Sequence, residues 1–67
     1  MEKIKIVVEY NGIKYESSEM IGCPSAMIQG VEKGIAEQRS LQIITDNGSI
    51  TFGCQVIERS IVSVTRI

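Results

Sequence analysis

The sequence predicts a small α+β fold in which one helix packs against one face of a mostly antiparallel sheet. Three observations lead to this prediction. Apolar and polar residues alternate toward both ends of the chain, two Asn-Gly pairs each lie between alternating segments, and a segment with helical periodicity separates the two pairs. At 67 residues the chain is expected to form one domain, residues 1–67, with the element order ββαβββ.

The pair Asn11-Gly12 predicts a first hairpin with a two-residue turn, because a type I′ turn needs positive φ at both central residues. The turn fixes which residues lie opposite each other. On the inward face the expected pairs are Tyr10–Ile13, Val8–Tyr15 and Ile6–Ser17. On the other face Glu9 lies opposite Lys14, so complementary charges meet across the ladder.

The segment between the hairpins predicts a helix from about Pro24 to Gln38. Gly22 ends the preceding strand region, and Pro24 suits the first helical position because its missing N–H has no helical partner there. At about 100° per residue, four apolar residues fall within an arc of roughly 100° and predict the buried face. These four residues are Met27, Ile28, Val31 and Ile35.

The pair Asn47-Gly48 predicts a second hairpin by the same rule. The expected pairs are Thr45–Ile50, Ile43–Phe52 and Leu41–Cys54. This register makes Cys54 a small core residue within a strand.

After the second hairpin the chain is expected to turn near residues 58–60 and to form a last strand with Val62 and Val64 inward. The opposite face of the sheet carries Val7 and Ile44, joined by Ile61 and Ile67. These side chains are β-branched and flat, so the outer face is a candidate surface for contact with another chain.

Composition excludes several classes of function. The chain has no histidine, and its two cysteines lack the spacing of a zinc site, so we expect no metal and no other cofactor. Without histidine, a general acid–base pair would need a perturbed carboxylate or lysine, for which no pattern is present. We therefore expect that the protein is not an enzyme.

Charge argues against nucleic-acid and membrane partners. The formal net charge is −1, and the lysines of the first two strands alternate with Glu9 and Glu16, which is typical of a solvated sheet face. The amino terminus lacks the apolar region of a signal peptide, and no run approaches the roughly 18 apolar residues that span a bilayer. We expect a cytoplasmic protein with reduced thiols.

Cys23 is the one candidate for chemistry. A thiol at a helix N-terminus faces free backbone N–H groups, which lower its pKa and increase its reactivity. The surrounding pattern gives little support, because a phosphatase-type loop would have an arginine where Gln29 lies and a disulfide oxidoreductase would have a second cysteine within a turn. A structural cysteine is the favoured interpretation, with a reactive Cys23 as the alternative.

Ala26, Gly30 and Gly34 recur at every fourth position and are called the small-residue stripe below. Each interior glycine costs about 0.8 to 1 kcal/mol of helix propensity relative to alanine, which suggests a compensating close contact. Three partners for that contact remain open: the protein's own sheet, a second subunit, or a ligand.

The order ββα followed by further strands is similar to the β-grasp (ubiquitin-like) architecture over the whole chain. The chain ends Thr65-Arg66-Ile67 where a ubiquitin-like carrier ends Gly-Gly, so the carrier chemistry of that family transfers to no residue here. The lack of histidine and tryptophan, and a "DNG" hairpin followed by "VIERSIVSV", resemble small proteins encoded by phages and mobile elements. That resemblance implies an accessory or inhibitory binder of a host protein or small signalling molecule.

We therefore expect a non-enzymatic interaction module that works as a homo-oligomer. Its contact surface is predicted to be the small-residue stripe or the outer sheet face with Val7 and Ile44. One alternative is a protein that sequesters a small, nucleotide-like ligand at a subunit interface, using the glycine edge with Ser25 and Arg39. Another is a thiol-dependent role for Cys23.

Overall fold

The computed structural model describes residues 2–67 and confirms the α+β fold. Its elements, in chain order, are β1 (Glu2–Tyr10), β2 (Ile13–Glu16), β3 (Met20–Gly22), α1 (Pro24–Ala36), β4 (Leu41–Thr45), β5 (Gly48–Phe52), α2 (Cys54–Glu58) and β6 (Ile61–Arg66). The predicted order ββαβββ lacked β3 and α2. Within residues 2–67, neither helix combines the length and apolar character needed to cross a bilayer.

Strand β1 is the centre of the main sheet. Strand β6 pairs with one edge of β1, while β2 and β3 share the other edge, and all these pairs are antiparallel. The inward side chains Ile4, Ile6 and Val8 are buried. Strands β4 and β5 form a separate two-stranded sheet instead of extending the main one.

The predicted first hairpin is confirmed from its turn to Val7, whereas the expected Ile6–Ser17 pair lies beyond the regular ladder and Ile13, expected inward, is 56% exposed at the strand end. Val8 lies opposite Tyr15, Glu9 opposite Lys14 and Tyr10 opposite Ile13. The turn residues Asn11 and Gly12 have φ values of 53° and 79°, as a type I′ turn requires.

A β-bulge follows this hairpin and explains why two short strands share one edge. Val7 lies opposite Glu16 and Ile4 opposite Met20, so two residues of β1 face three residues of the partner segment. At the bulge the Ser17 hydroxyl accepts the Ile6 N–H at 2.8 Å, in place of a backbone carbonyl. The Ser17 N–H donates to the Ile6 carbonyl, also at 2.8 Å.

The predicted register of the second hairpin was wrong by two residues. Thr45 lies opposite Gly48, so the loop is residues 46–47 instead of residues 47–48. Neither Asp46 nor Asn47 has the positive φ of a type I′ turn, whereas Gly48, the first residue after the loop, has a φ of 149°. A shift of two leaves every side chain on its predicted face, but it removes Cys54 from the strand and places it at the start of α2.

The main core cluster joins the two sheets. Its buried residues are Ile6, Val8, Ile43, Phe52 and Ile57. Tyr15 and Phe52 pack edge to face, with 5.5 Å between ring centroids, which links the first hairpin to the second. Helix α1 packs against β6 and α2, with Val31 buried and the other three residues of its predicted apolar face half-buried.

Helix α1 ends at Ala36, two residues before the predicted end. Gln38 has φ of 58°, and its N–H donates to the Ile35 carbonyl at 3.0 Å, while the Arg39 N–H donates to the Gly34 carbonyl at 2.8 Å. These two bonds form a Schellman motif, whose left-handed position usually carries glycine. The absence of a glycine there concealed the helix end from sequence inspection.

Candidate functional site

The small-residue stripe borders an apolar groove between α1 and the start of β4. The groove has a cavity volume of about 290 Å³, and buried side chains of Ile6, Val31 and Ile57 contribute to its lining. All three residues of the stripe line it as well. The predicted stripe is therefore an exposed feature of the molecule's surface.

Neither Gly30 nor Gly34 makes a close contact within the chain. A methyl group added at either position would meet no atom within 4 Å. Close approach to the protein's own sheet therefore does not explain the two glycines, whereas a second subunit and a ligand remain as explanations.

The glycine with a close neighbour is Gly22. A methyl group there would lie 3.0 Å from Cδ1 of Ile4 and 3.6 Å from Cε of Met27. Because Ile4 is fully buried, Gly22 allows β3 to pass close to the core. The sequence predicts for Gly22 only the end of a strand region.

Arg39 lies at the groove, whereas Ser25 does not. Arg39 lines the groove together with Gly30 and Gly34, and it forms an ion pair with Glu37 at 2.8 Å. Ser25 lies at the first turn of α1, in a separate surface depression that also contains Cys23. The predicted ligand residues are thus divided between two places.

Cys23 is exposed and is the N-cap residue of α1. Its Sγ lies 3.3 Å from Oγ of Ser25. The neighbouring Ser25 hydroxyl, and then the backbone N–H groups of Ala26 and Ser25 at the helix start, lower the pKa of the Cys23 thiol, while desolvation and the Glu2 carboxylate oppose this shift. Glu2 itself forms an ion pair with Arg66 at 2.9 Å.

The two residues predicted to mark one outer face lie in different sheets. Val7 is on the outer face of the main sheet, while Ile44 is in the two-stranded sheet, where its carbonyl accepts the Ser18 N–H at 2.8 Å. Around Val7 the face is mixed, because Lys5 and Glu16 form an ion pair that lowers the pKa of the Glu16 carboxyl. Ile61 and Ile67 lie on this outer face, as predicted, opposite Glu9 and Lys3 of β1.

No protein-family model matches the chain, and no curated protein or solved structure matches it either. Within residues 2–67, no group of three cysteine or carboxylate side chains is placed to hold a metal ion.

Proposed function

We propose that this protein is a non-enzymatic interaction module that works as a homo-oligomer. The observation that supports it most directly is the exposure of large apolar side chains. Five isoleucines are between 56% and 68% exposed: Ile13, Ile21, Ile44, Ile61 and Ile67. The core of residues 2–67 contains seven buried hydrophobic residues, so the exposed set is nearly as large as the buried one.

Small size makes this exposure costly. A chain of about 60 residues buries only roughly 60% of the surface that its unfolded form exposes, so its stability is marginal. Covering exposed isoleucines against a second copy supplies further apolar burial, at about 25 cal/mol for each Å² removed from water. Self-association therefore stabilises the fold while it creates the functional assembly.

The groove chemistry favours binding over catalysis. Arg39 is the one charged residue among the described residues that line the groove. Acid–base catalysis needs a proton donor and acceptor within reach of a substrate, and an arginine is protonated at all relevant pH values. By resemblance to phage and mobile-element proteins, the assembled module is proposed to act on a host protein or a small signalling molecule.

Capture of a small ligand is the second candidate. The specific observation in its favour is that Gly30, Gly34 and Arg39 line one groove with an apolar floor. An amphipathic anion matches this chemistry, because its apolar part would fill the groove and its charge would meet the Arg39 guanidinium.

Two measurements on one protein sample distinguish the homo-oligomer proposal from the ligand-capture proposal. The homo-oligomer proposal expects light scattering to give at least twice the mass of one chain, and a monomer at all accessible concentrations would contradict it. The ligand proposal expects denaturing mass spectrometry of the same sample to detect a released small molecule. An assembly that releases nothing favours the interaction module alone.

A further inference from the structure

The outer edge of β6 has unpaired backbone groups. The Ile67 N–H donates to the Lys3 carbonyl at 3.0 Å, so this position is a hydrogen-bonded pair of the β1–β6 ladder. Such pairs alternate along an antiparallel ladder. The backbone groups of Val62, Val64 and Arg66 therefore point away from β1, and within residues 2–67 no strand pairs with that side of β6.

In β6 the one charged residue, Arg66, lies at the end of the strand and leaves the rest of this edge unprotected. Residues 61–65 carry no charge and no proline, and four of the five are β-branched. Natural edge strands are usually protected by charges, prolines or bulges. The opposite edge of the main sheet has such protection, because it carries the bulge after β2 together with Lys14 and Glu16. The short β5 strand begins with Gly48, a residue type with low β-propensity.

We infer that β6 pairs in antiparallel fashion with β6 of a second copy, about a two-fold axis at Val64. This inference rests on the proposed homo-oligomer and names its interface. Val64 then lies opposite Val64 of the second copy, and Val62 lies opposite Arg66. The outward N–H and C=O groups of these three residues are the ones that the ladder of each subunit leaves free, so they pair with each other across the axis.

The side chains explain why the partner is a second copy. In this register Ile61 lies opposite Ile67 of the second copy, and the contact occurs twice because of the two-fold axis. Ile61 and Ile67 are 68% and 59% exposed in the single chain, and both lie on the outer face. Each copy thus supplies the apolar partner that the other lacks, and no like charges lie opposite each other.

Ser63 and Thr65 allow a test of this register. Both are exposed on the outer face, and Ser63 lies opposite Thr65 of the second copy. The double variant Ser63→Glu, Thr65→Glu places like charges opposite each other at two positions. The double variant Ser63→Lys, Thr65→Glu places opposite charges there instead. The variant Ser49→Glu, Thr51→Glu adds the same charge to the exposed residues of β5 and controls for net charge.

Sedimentation equilibrium measures the dimer Kd of all four proteins, with circular dichroism to confirm folding. We expect a wild-type dimer, a Kd raised on the order of tenfold or more in the Glu/Glu variant of β6, and little change in the other two. A monomeric wild type would overturn both the inference and the proposed homo-oligomer. A wild-type dimer whose Kd is unchanged in the Glu/Glu variant would overturn the β6 interface alone.

Discussion

At the scale of single residues, Ser17 and Ser18 together link the two sheets. The side-chain hydroxyl of Ser17 accepts the buried Ile6 N–H at 2.8 Å and donates to the Ser18 carbonyl at 2.9 Å. The next residue, Ser18, donates its N–H to the Ile44 carbonyl of β4. A period-two pattern places Ser17 inward, as found, but does not reveal that its hydroxyl substitutes for a backbone carbonyl.

Replacing Ser17 with alanine leaves the buried Ile6 N–H without an acceptor. We expect the variant Ser17→Ala to lose about 1 to 3 kcal/mol of unfolding free energy, the usual cost of an unsatisfied buried donor. Urea denaturation measures the change. Ser49→Ala, at an exposed position of β5 outside the proposed interface, is the control and is expected to change stability by less than about 0.5 kcal/mol. Equal stability of the two variants would contradict this role of Ser17.

The lowered pKa of Cys23 has a kinetic consequence. Because the thiolate is the reactive form, a lower pKa gives more thiolate at a given pH below that pKa. We expect iodoacetamide to modify Cys23 faster than half-buried Cys54 near pH 7, with a rate profile displaced toward lower pH. The variant Ser25→Ala removes the largest cause of the shift and is expected to move the profile back toward higher pH. Mass spectrometry of the alkylated peptides follows both rates, and an unmoved profile would contradict the assignment.

At the scale of elements, the sequence predicted a hairpin correctly where a single local turn signal determined its register. Asn11-Gly12 fixed the first hairpin because both residues adopt positive φ. The second Asn-Gly pair follows Asp46, which also favours turns, and the turn forms over residues 46–47. Helix α2 has only five residues, too few for a helical periodicity to be recognised.

The end of α1 tests the helix-capping assignment. Gln38 occupies a left-handed conformation that costs a residue with a side chain roughly 1 to 2 kcal/mol. We expect Gln38→Gly to raise the free energy of unfolding by about 0.5 to 1 kcal/mol, since the flexibility of glycine in the unfolded chain offsets part of the gain. Ala36→Gly, at the last residue of α1 where the backbone is still right-handed helical, is expected to lower it by a similar amount. Thermal unfolding distinguishes these results, and destabilisation by both changes would contradict the Schellman assignment.

The small-residue stripe gives a second test at this scale. Because a methyl group at Gly30 meets only open space, we expect Gly30→Ala to stabilise the monomer by about 0.8 kcal/mol through helix propensity alone. Gly22→Ala forces a methyl group to within 3.0 Å of buried Ile4, and we expect a loss of about 1 kcal/mol. Chemical denaturation of dilute samples measures both. Destabilisation by Gly30→Ala in a monomer would show that the stripe is packed within the chain.

The candidate site could be predicted only in part. The sequence located the stripe and Arg39, and the fold brings Gly30, Gly34 and Arg39 to one groove. It did not place Val7 and Ile44 in separate sheets, because strand order depends on long-range pairing that a local pattern does not encode. The free edge of β6 could not be predicted for the same reason, because only the sheet topology shows which strand has a neighbour on one side alone.

At the scale of the whole molecule, exposed isoleucines and an unprotected edge strand point to the same property. Ile61 begins β6 and Ile67 directly follows it, and the outer backbone groups of this strand have no partner strand within residues 2–67. Pairing of two β6 strands would satisfy those groups and cover both side chains. Self-association is thus proposed to complete the sheet and to assemble the interaction module.

Amide hydrogen exchange followed by NMR tests this claim most directly. At high protein concentration we expect slow exchange at Val62, Val64 and Arg66, and fast exchange at the same amides after dilution below the dimer Kd. The amides of Ile61, Ser63 and Thr65 face β1 and serve as internal controls, with slow exchange at both concentrations. Fast exchange of the three outer amides at every concentration, with the inner three protected, would show that the β6 edge stays open and would contradict the proposed interface.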